Sequence, residues 1–341
     1  MKSKNLTRFV WALSILFLTI VACTATGKPT AVPSLAPTTS SPPTSTQLAP
    51  AAQGVSPADL PSQRLDQAGD INSSSMATAK NAPSGDVFVQ GLYERPFNAN
   101  TMDTYFPYMD IVSIQGFKDD TWGYLTITLA GTDKNGQLPA QYAAELDLNK
   151  DGRGDWLIRA SNPSSTTWTT QGVQAWKDTD GDVGGVIPMV ADNNLSGGDG
   201  YETLVFDQGK GSLTDGAWVR ISPNDPKTVQ IAFKLSMVGS PSSFAMGAWA
   251  GANIDPSMFD YNDHMTHAQA GDPNQGYPQV YPIKALAEID NTCRLAMGFV
   301  PTSTVPGLCE VPQIQHSSQC PPGKTYVCSP GIAAAPSCGC R

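Results

Sequence analysis

The sequence predicts an all-β fold: an antiparallel β-sandwich of jelly-roll type, with a disordered N-terminal stalk and a small disulfide-rich C-terminal tail. From about residue 86, short apolar alternations are separated by turns rich in Gly, Asp, Asn and Pro, as in strands and hairpins. The 30 acidic residues comprise 25 Asp and 5 Glu, and Asp favours turns whereas Glu favours helices. With 21 basic residues the net charge is −9, and no basic patch is present to bind nucleic acid.

Residues 1–22 predict a targeting signal. Basic residues at positions 2, 4 and 8 precede an apolar stretch, Phe9 to Ala22, that is too short for an ordinary membrane span. The stretch ends in Ile20-Val21-Ala22-Cys23, which resembles the lipobox of bacterial lipoproteins. The resemblance implies cleavage before Cys23, acylation of that cysteine, and a lipid anchor at the extracytoplasmic face of a bacterial membrane, displaying the protein at the cell surface. The alternative is a plain secretory signal with a chance cysteine.

Residues 23–85 predict a disordered stalk that follows the lipidated cysteine. The 62 residues from Thr24 to Gly85 contain 9 Pro and 18 Ser or Thr, and no apolar period is sustained. Such a segment buries too little surface to offset its conformational entropy. We therefore expect it to hold the folded domain away from the membrane.

Residues 86–300 predict the sandwich domain. Its candidate strands are short, rich in β-branched and aromatic residues, and bounded by turn signals. They are Asp110–Gly116, Trp122–Leu129, Tyr142–Leu148, Asp155–Ala160, Gly172–Trp176, Tyr201–Phe206, Ala217–Ser222, Thr228–Leu235 and Phe244–Ala250. Two further segments, Asp255–Phe259 and Met265–Ala270, predict short helices in a late loop.

The first strands have a more particular pattern. Asp110–Gly116, a short turn, Trp122–Leu129 and then Tyr142–Asn149 running into an Asp-rich turn resemble the opening of DOMON-type and related carbohydrate-binding sandwich domains. The resemblance implies a binding face for a sugar or another small ligand. A Met/His pair like that of haem-binding members is not recognisable, and the second half of the domain departs from the pattern.

One Asp-rich loop has the spacing of a calcium site. Oxygen side chains stand at its positions 1, 3, 5 and 9, which are Asp147, Asn149, Asp151 and Asp155. Calcium takes six to eight oxygen ligands, and the glycine at position 6 permits a sharp turn. The pattern resembles the first nine positions of EF-hand, dockerin and thrombospondin type 3 loops, which implies calcium as a structural cofactor. Position 12 is not Glu, so Asp155 would have to close the site; the alternative is a hairpin turn that binds nothing.

A second cluster, Asp178-Thr179-Asp180-Gly181-Asp182, repeats this chemistry more weakly. Three carboxylates this close repel one another unless a cation lies between them. Asp178, Asp180 and Asp182 are therefore candidates for a second metal site or for completing the first across the sheet. A solvated loop is the alternative.

His264 and His267 share one face if their segment is helical, with Asp260 or Asp263 nearby. Zinc binds such sets, but no fourth ligand is evident. An ordinary pair of loop histidines is therefore the favoured interpretation.

Trp168 and Trp176 are the candidate ligand-binding aromatics. They lie beside polar, loop-like sequence, where an indole ring can stack on a sugar. Aromatic residues on strands more often belong to the core.

The tail, residues 301–341, is predicted to be held by disulfides. Besides Cys23, the cysteines are Cys293, Cys309, Cys320, Cys328, Cys338 and Cys340. Their even number in an extracytoplasmic protein predicts three disulfides with 15 possible connectivities, and zinc is the minor alternative. We expect a bond between Cys293 and Cys309 where the sandwich ends.

Three functions remain open from the sequence. The leading hypothesis is a non-catalytic surface lipoprotein whose calcium-stabilised sandwich binds an extracellular glycan or protein. A structural or adhesive envelope protein is the second. The third is a jelly-roll glycoside hydrolase, which needs two carboxylates beside a cleft, with Glu145, Glu202 and Asp207 as candidates.

Overall fold

Two antiparallel sheets lie face to face and confirm the predicted β-sandwich. The computed structural model describes residues 55–75, 92–98, 104–183, 200–259, 288–302, 304–309, 326–329 and 337–340. No α-helix occurs among these residues, so none of them lies in a helix able to cross a membrane.

The strands are numbered along the chain. They are β1 (Arg64–Gly69), β2 (Glu94–Arg95), β3 (Ile111–Lys118), β4 (Trp122–Leu129), β5 (Gln141–Asp147), β6 (Trp156–Ser161), β7 (Val173–Lys177), β8 (Thr203–Asp207), β9 (Ala217–Ser222), β10 (Asp225–Lys234), β11 (Phe244–Gly251), β12 (Ile289–Asn291), β13 (Leu295–Met297), β14 (Tyr326–Ser329) and β15 (Ser337–Cys340). All nine predicted strands are present, with ends shifted by at most three residues. The predicted helix at Asp255–Phe259 is a single 3-10 turn at Pro256–Met258, and Met265–Ala270 lies outside the described residues.

The first sheet has the strand order β1-β3-β4-β10-β9, and the second has the order β2-β12-β11-β5-β6-β7-β8. Strand β13 also pairs with β11, beside β12. Strands β14 and β15 form a separate hairpin in the tail.

The main core lies between the two sheets. Alternate residues of each strand point inward, as the period of two requires. Leu125 and Ile127 of β4 and Tyr142 and Leu146 of β5 are fully buried in one cluster. The alternation seen in the sequence therefore marks the inner faces correctly.

The outer face of the second sheet is buried as well, because loops cover it. Trp249 of β11 and Leu157 of β6 pack there against Tyr201 and Phe259, which lie in these loops. The rings of Trp249 and Phe259 meet edge to face, with centroids 5.0 Å apart. Residues of β5 that point away from the main core are consequently also enclosed.

The sandwich begins earlier than the predicted stalk boundary at residue 85. Strand β1 pairs with β3, and the carboxylate of Asp66 accepts a 2.7 Å hydrogen bond from the Ala296 backbone N–H. Because β1 is a largely exposed edge strand, its sequence lacks the apolar alternation that marks the other strands.

The segment before β1 crosses the outer face of the first sheet. The Val55 N–H donates to Asp215 at 3.1 Å, and Asp59 pairs with Arg220 at 3.2 Å. Leu60 packs against a cluster formed by Phe117, Trp122, Tyr124 and Ala232. Residues 55–63 are thus fixed to the sandwich before the first strand starts.

Candidate functional site

The two Asp-rich loops lie side by side at one end of the second sheet. Strand β6 pairs antiparallel with both β5 and β7, so the loop after β5 and the loop after β7 leave the sheet at the same end. The Asp178 N–H donates to the Asp155 carbonyl at 3.1 Å. The Arg153 guanidinium donates to the Gly181 carbonyl at 3.2 Å. The structure therefore brings the two predicted metal clusters together.

The first loop is organised by hydrogen bonds to its own backbone. Asp147 accepts from the N–H groups of Lys150 at 2.6 Å and Gly152 at 2.9 Å, and Gly152 has the left-handed φ of 94°. Asp155 accepts from the Leu148 N–H at 2.6 Å. Within the described part of the chain, the three carboxylates of this loop do not form a set with ligand atoms within 4.8 Å of one another. Calcium within this loop alone stays a prediction.

A buried arginine lies behind the first loop. The Arg294 guanidinium is 4.0 Å from the Asp147 carboxylate and donates to the Gly152 carbonyl at 2.8 Å. Burial raises the pKa of Asp147 overall, and Arg294 and the loop N–H groups offset only part of that rise. Part of the negative charge of this loop is therefore already compensated by the protein.

The second loop does bring carboxylates together. Ligand atoms of Asp178, Asp180 and Glu202 lie within 4.8 Å of one another. One oxygen of Glu202 accepts from the Thr179 N–H at 2.9 Å. The other is buried and has no hydrogen-bond partner among the described residues. These three residues could hold a metal ion. Asp182 is buried but lies outside the set.

Sequence reasoning missed Glu202 as a partner of the Asp178 loop. Glu202 is 24 positions from Asp178 and belongs to no local motif. The register of β7 and β8 brings it there, because Lys177 pairs with Thr203 and places the residues beyond both strand ends next to each other.

Glu145, a candidate acid for the hydrolase hypothesis, lies in the enclosed layer beneath these loops. Its carboxylate accepts from the Tyr201 hydroxyl at 2.7 Å and from the Trp249 indole at 3.0 Å. Arg294 lies 3.5 Å from it. The side chain is 2% exposed. Its contacts are therefore those of a buried structural carboxylate.

Trp168 lines a groove of about 580 Å³ in the turn between β6 and β7. Its indole N–H donates to the Ala58 carbonyl at 2.9 Å, and the Arg220 guanidinium lies 4.4 Å from the ring centroid. The remaining described lining consists of Ser161, Asn162, Pro163, Ser164, Ser165, Thr167, Thr169, Gln171, Gly172 and Gln208. No charged side chain lines the groove within the described ranges.

Trp176 has a different setting. It packs, partly buried, against the loops that cover the outer face of the second sheet. Its indole nitrogen is enclosed and has no partner in the described part of the chain. The structure thus separates the two candidate tryptophans, and Trp168 is the one that lines the groove between β6 and β7.

The expected disulfide between Cys293 and Cys309 is present. The backbones of Cys328 and Cys338 are directly opposite each other in the tail hairpin, and Cys340 pairs with Tyr326. The remaining predicted residues, Cys23, His264, His267 and Cys320, lie outside the described residues.

A second set of acidic residues, absent from the sequence prediction, lies at the opposite edge of the second sheet. Ligand atoms of Asp70, Glu94 and Asp290 are within 4.8 Å of one another. These residues are 24 and 196 positions apart along the chain, so no local spacing signals them.

Comparison of the chain with protein-family models, curated proteins and solved structures finds no match. Function is therefore inferred from the geometry of the described residues.

Proposed function

We propose that this protein is a surface-displayed lipoprotein whose calcium-stabilised β-sandwich binds a neutral extracellular glycan. The observation that carries the proposal is the groove beside Trp168. It combines an aromatic side chain with a neutral, hydrogen-bonding lining, and this is the chemistry that a sugar requires.

The groove offers both kinds of polar partner. Hydroxyl and amide side chains donate and accept hydrogen bonds, as sugar hydroxyls do. Trp168 is half-buried and is the aromatic residue of the lining. The uncharged lining favours a neutral sugar over an anionic one.

Calcium has a structural role in this proposal. The carboxylates of Asp178, Asp180 and Glu202, beside the Asp147–Asp155 loop, supply the oxygen ligands that calcium prefers. The groove lies at the other end of β6, about 20 Å away at ~3.3 Å per residue. At that distance the ion fixes the loops and does not contact the glycan.

The disulfide supports the extracytoplasmic location. Disulfides persist in oxidising compartments and are rare in the cytosol. Together with the lipobox resemblance at Cys23, the bond between Cys293 and Cys309 favours a protein that is exported and held at the membrane by its lipid anchor.

A glycan-binding screen of the full chain tests the proposal. We expect one or more neutral polysaccharides to bind, with at least tenfold weaker binding in Trp168→Ala and in Gln171→Ala. Gln171 lines the groove with an exposed side chain, so its replacement leaves the core intact. Thr166→Ala is the matched control, because Thr166 is exposed in the same turn outside the groove lining.

Two results would overturn the glycan assignment. One is a screen in which no neutral polysaccharide binds. The other is a binder whose affinity is unchanged in both groove variants while their melting temperatures match the wild type.

One observation favours the structural or adhesive alternative. Strand β8 is the last strand of the second sheet, and Leu204 and Val205 on it are exposed. Exposed apolar edge strands promote pairing between chains. In that case the protein would self-associate with increasing concentration in sedimentation experiments and would bind no polysaccharide.

A further inference from the structure

Four carboxylates from separate segments meet where the two sheets approach each other at one edge. They are Asp70 just after β1, Glu94 in β2, Asp110 just before β3 and Asp290 in β12. Glu94 and Asp290 are direct partners in the β2–β12 ladder. Like charges directly opposite each other on paired strands destabilise a sheet. A carboxylate pair in this position therefore needs compensation.

The protein orients two of these groups through Ser73. Its hydroxyl donates to Glu94 Oε2 at 2.5 Å, and its backbone N–H donates to Asp110 Oδ2 at 2.8 Å. The Tyr105 hydroxyl donates to the same oxygen of Asp110 at 2.6 Å. Each carboxylate is thus held through one of its oxygens.

The other two groups are held in the same manner. Asp70 Oδ1 accepts from the Ile71 N–H at 3.0 Å, and Asp290 Oδ2 accepts from the Ile111 N–H at 2.5 Å. The second of these bonds joins the two sheets, because Ile111 begins β3 and Asp290 belongs to β12.

The second oxygen of every carboxylate is buried and accepts no hydrogen bond from an N–H or hydroxyl group of the described residues, although Asp70 and Glu94 can hydrogen-bond each other when one of them carries a proton. These atoms are Asp70 Oδ2, Glu94 Oε1, Asp110 Oδ1 and Asp290 Oδ1. Glu94 is 2% exposed, and Asp110 and Asp290 are completely buried. Asp70 is partly exposed as a residue, but its Oδ2 atom is enclosed. On each group one oxygen is held by an N–H or hydroxyl donor of the protein and the other is not, which is the arrangement of oriented metal ligands.

The four carboxylates form no ion pair with a basic side chain of the described residues. The guanidinium of Arg95, the neighbour of Glu94 in β2, lies 5.6 Å from the Tyr93 ring centroid. Burial raises the pKa of Asp70 to about 7 and of Asp110 to about 6, and raises those of Glu94 and Asp290 well above their usual range. Among the described residues nothing neutralises the cluster, and bound protons or a bound cation can do so.

We propose that a calcium ion binds between Asp70, Glu94 and Asp290, beside Asp110, and ties the two sheets together at this edge. Only oxygen ligands are present, which selects a hard cation. The enclosed position of the ligands suits a structural ion. The site does not depend on the Asp178 site, which lies at the opposite edge of the second sheet.

Calorimetric titration of calcium into the chelator-stripped full chain tests the proposal. We expect Asp290→Asn to bind one calcium ion fewer than the wild type. Asp120→Asn is the matched control, since it removes one carboxylate from an exposed position and should bind as the wild type does. Asp178→Asn reports on the other site separately, so a failure there leaves the comparison at Asp290 intact.

Melting curves give a second readout. In chelator, Asp290→Asn should melt at or above the wild-type temperature, because the amide retains an acceptor for Ile111 and cannot become charged in the buried cluster. At a calcium concentration 1,000-fold above Kd, the edge site alone should raise the wild-type melting temperature by about 8–16 °C. Asp290→Asn should lose that increment.

Equal calcium stoichiometry and equal calcium-induced shifts in the wild type and Asp290→Asn would overturn the proposal and leave protons as the neutralising species. If Asp290→Asn does not fold, Glu94→Gln replaces it, and its calcium stoichiometry and calcium-induced melting shift are compared with those of the wild type. Elemental analysis of Asp178→Asn protein, dialysed against a trace of calcium, gives a further decision without any change at the edge site. Retention of one equivalent that is lost when Asp290→Asn is added to the same chain supports the site, and no retained calcium refutes it.

Discussion

Replacement of Glu145 by glutamine tests the network that supports the acidic loops from beneath. The Glu145 carboxylate accepts hydrogen bonds from the Tyr201 hydroxyl and the Trp249 indole, and it lies 3.5 Å from the Arg294 guanidinium. The Arg294 guanidinium also donates a hydrogen bond to the Gly152 carbonyl and so connects Glu145 to the first acidic loop. The substitution keeps the size of the side chain and removes its charge.

The expected loss of stability follows from these contacts. Glutamine has one acceptor oxygen, so its NH₂ group must face the hydroxyl, the indole or the guanidinium. A hydrogen bond to a charged group contributes about 1.5–3 kcal/mol. Breaking a buried ion pair by removing one partner costs about 3–5 kcal/mol. Asp147 lies 4.0 Å from Arg294 and remains as a partner for the guanidinium, which limits the loss of stability. We therefore expect Glu145→Gln to lose about 3–5 kcal/mol, or about 6–20 °C in melting temperature.

Urea denaturation of the chelator-treated full chain, followed by tryptophan fluorescence, measures this loss. Glu202→Gln is the control, because it makes the same change in a partly exposed carboxylate at the same end of the sheet. We expect the control to lose less than about 1 kcal/mol, because glutamine keeps an acceptor for the Thr179 N–H and Glu202 has no ion pair among the described residues. A loss below 1 kcal/mol for Glu145→Gln as well would refute the assignment of Glu145 to a buried structural network.

The disulfide and the buried carboxylates give two further predictions. Cys293 and Cys309 are 16 positions apart, so the double replacement by serine should lower the free energy of unfolding by about 3 kcal/mol through the larger entropy of the unfolded chain; a melting curve that matches the wild type would contradict this. In chelator, the free energy of unfolding should fall as the pH rises from about 4 to about 7. The pKa values of Asp110 and Asp70 are raised to about 6 and about 7 in the folded state. Over that range the folded protein therefore keeps protons on these two groups, whereas the unfolded chain has released them. Denaturation at several pH values measures the slope, and a profile that is flat or rises with pH would show that these groups are charged in the folded protein.

The features that the sequence predicts well are those encoded locally. Strand β4 is rich in β-branched and aromatic residues and pairs on both sides, so the composition that predicts a strand agrees with its nearly continuous burial. The Asp147 loop is a turn because its own side chains accept from its own backbone. In both cases neighbours in the chain decide the structure.

The features that the sequence does not reveal depend on contacts between distant segments. Strand β2 has only two residues, too few for any period, and forms because β12 offers it a partner. Glu202 joins the Asp178 loop only through the register of β7 and β8. The edge cluster is assembled from four segments that share no motif. An isolated Glu or Asp beside a strand carries no signal of which other carboxylate it will face.

The attachment of residues 55–63 to the outer face of the first sheet also has a mechanical consequence. A force on the chain before Val55 acts first on the bond to Asp215, then on the Ala58 and Asp59 contacts and on Leu60, and only afterwards on the β1–β3 ladder. These contacts lie one after another along the chain, so they break singly and at low force. Their release adds nine residues, about 30 Å of extended chain, before the sandwich carries any load. A lipid-anchored protein would thereby yield to a pull on its ligand without unfolding.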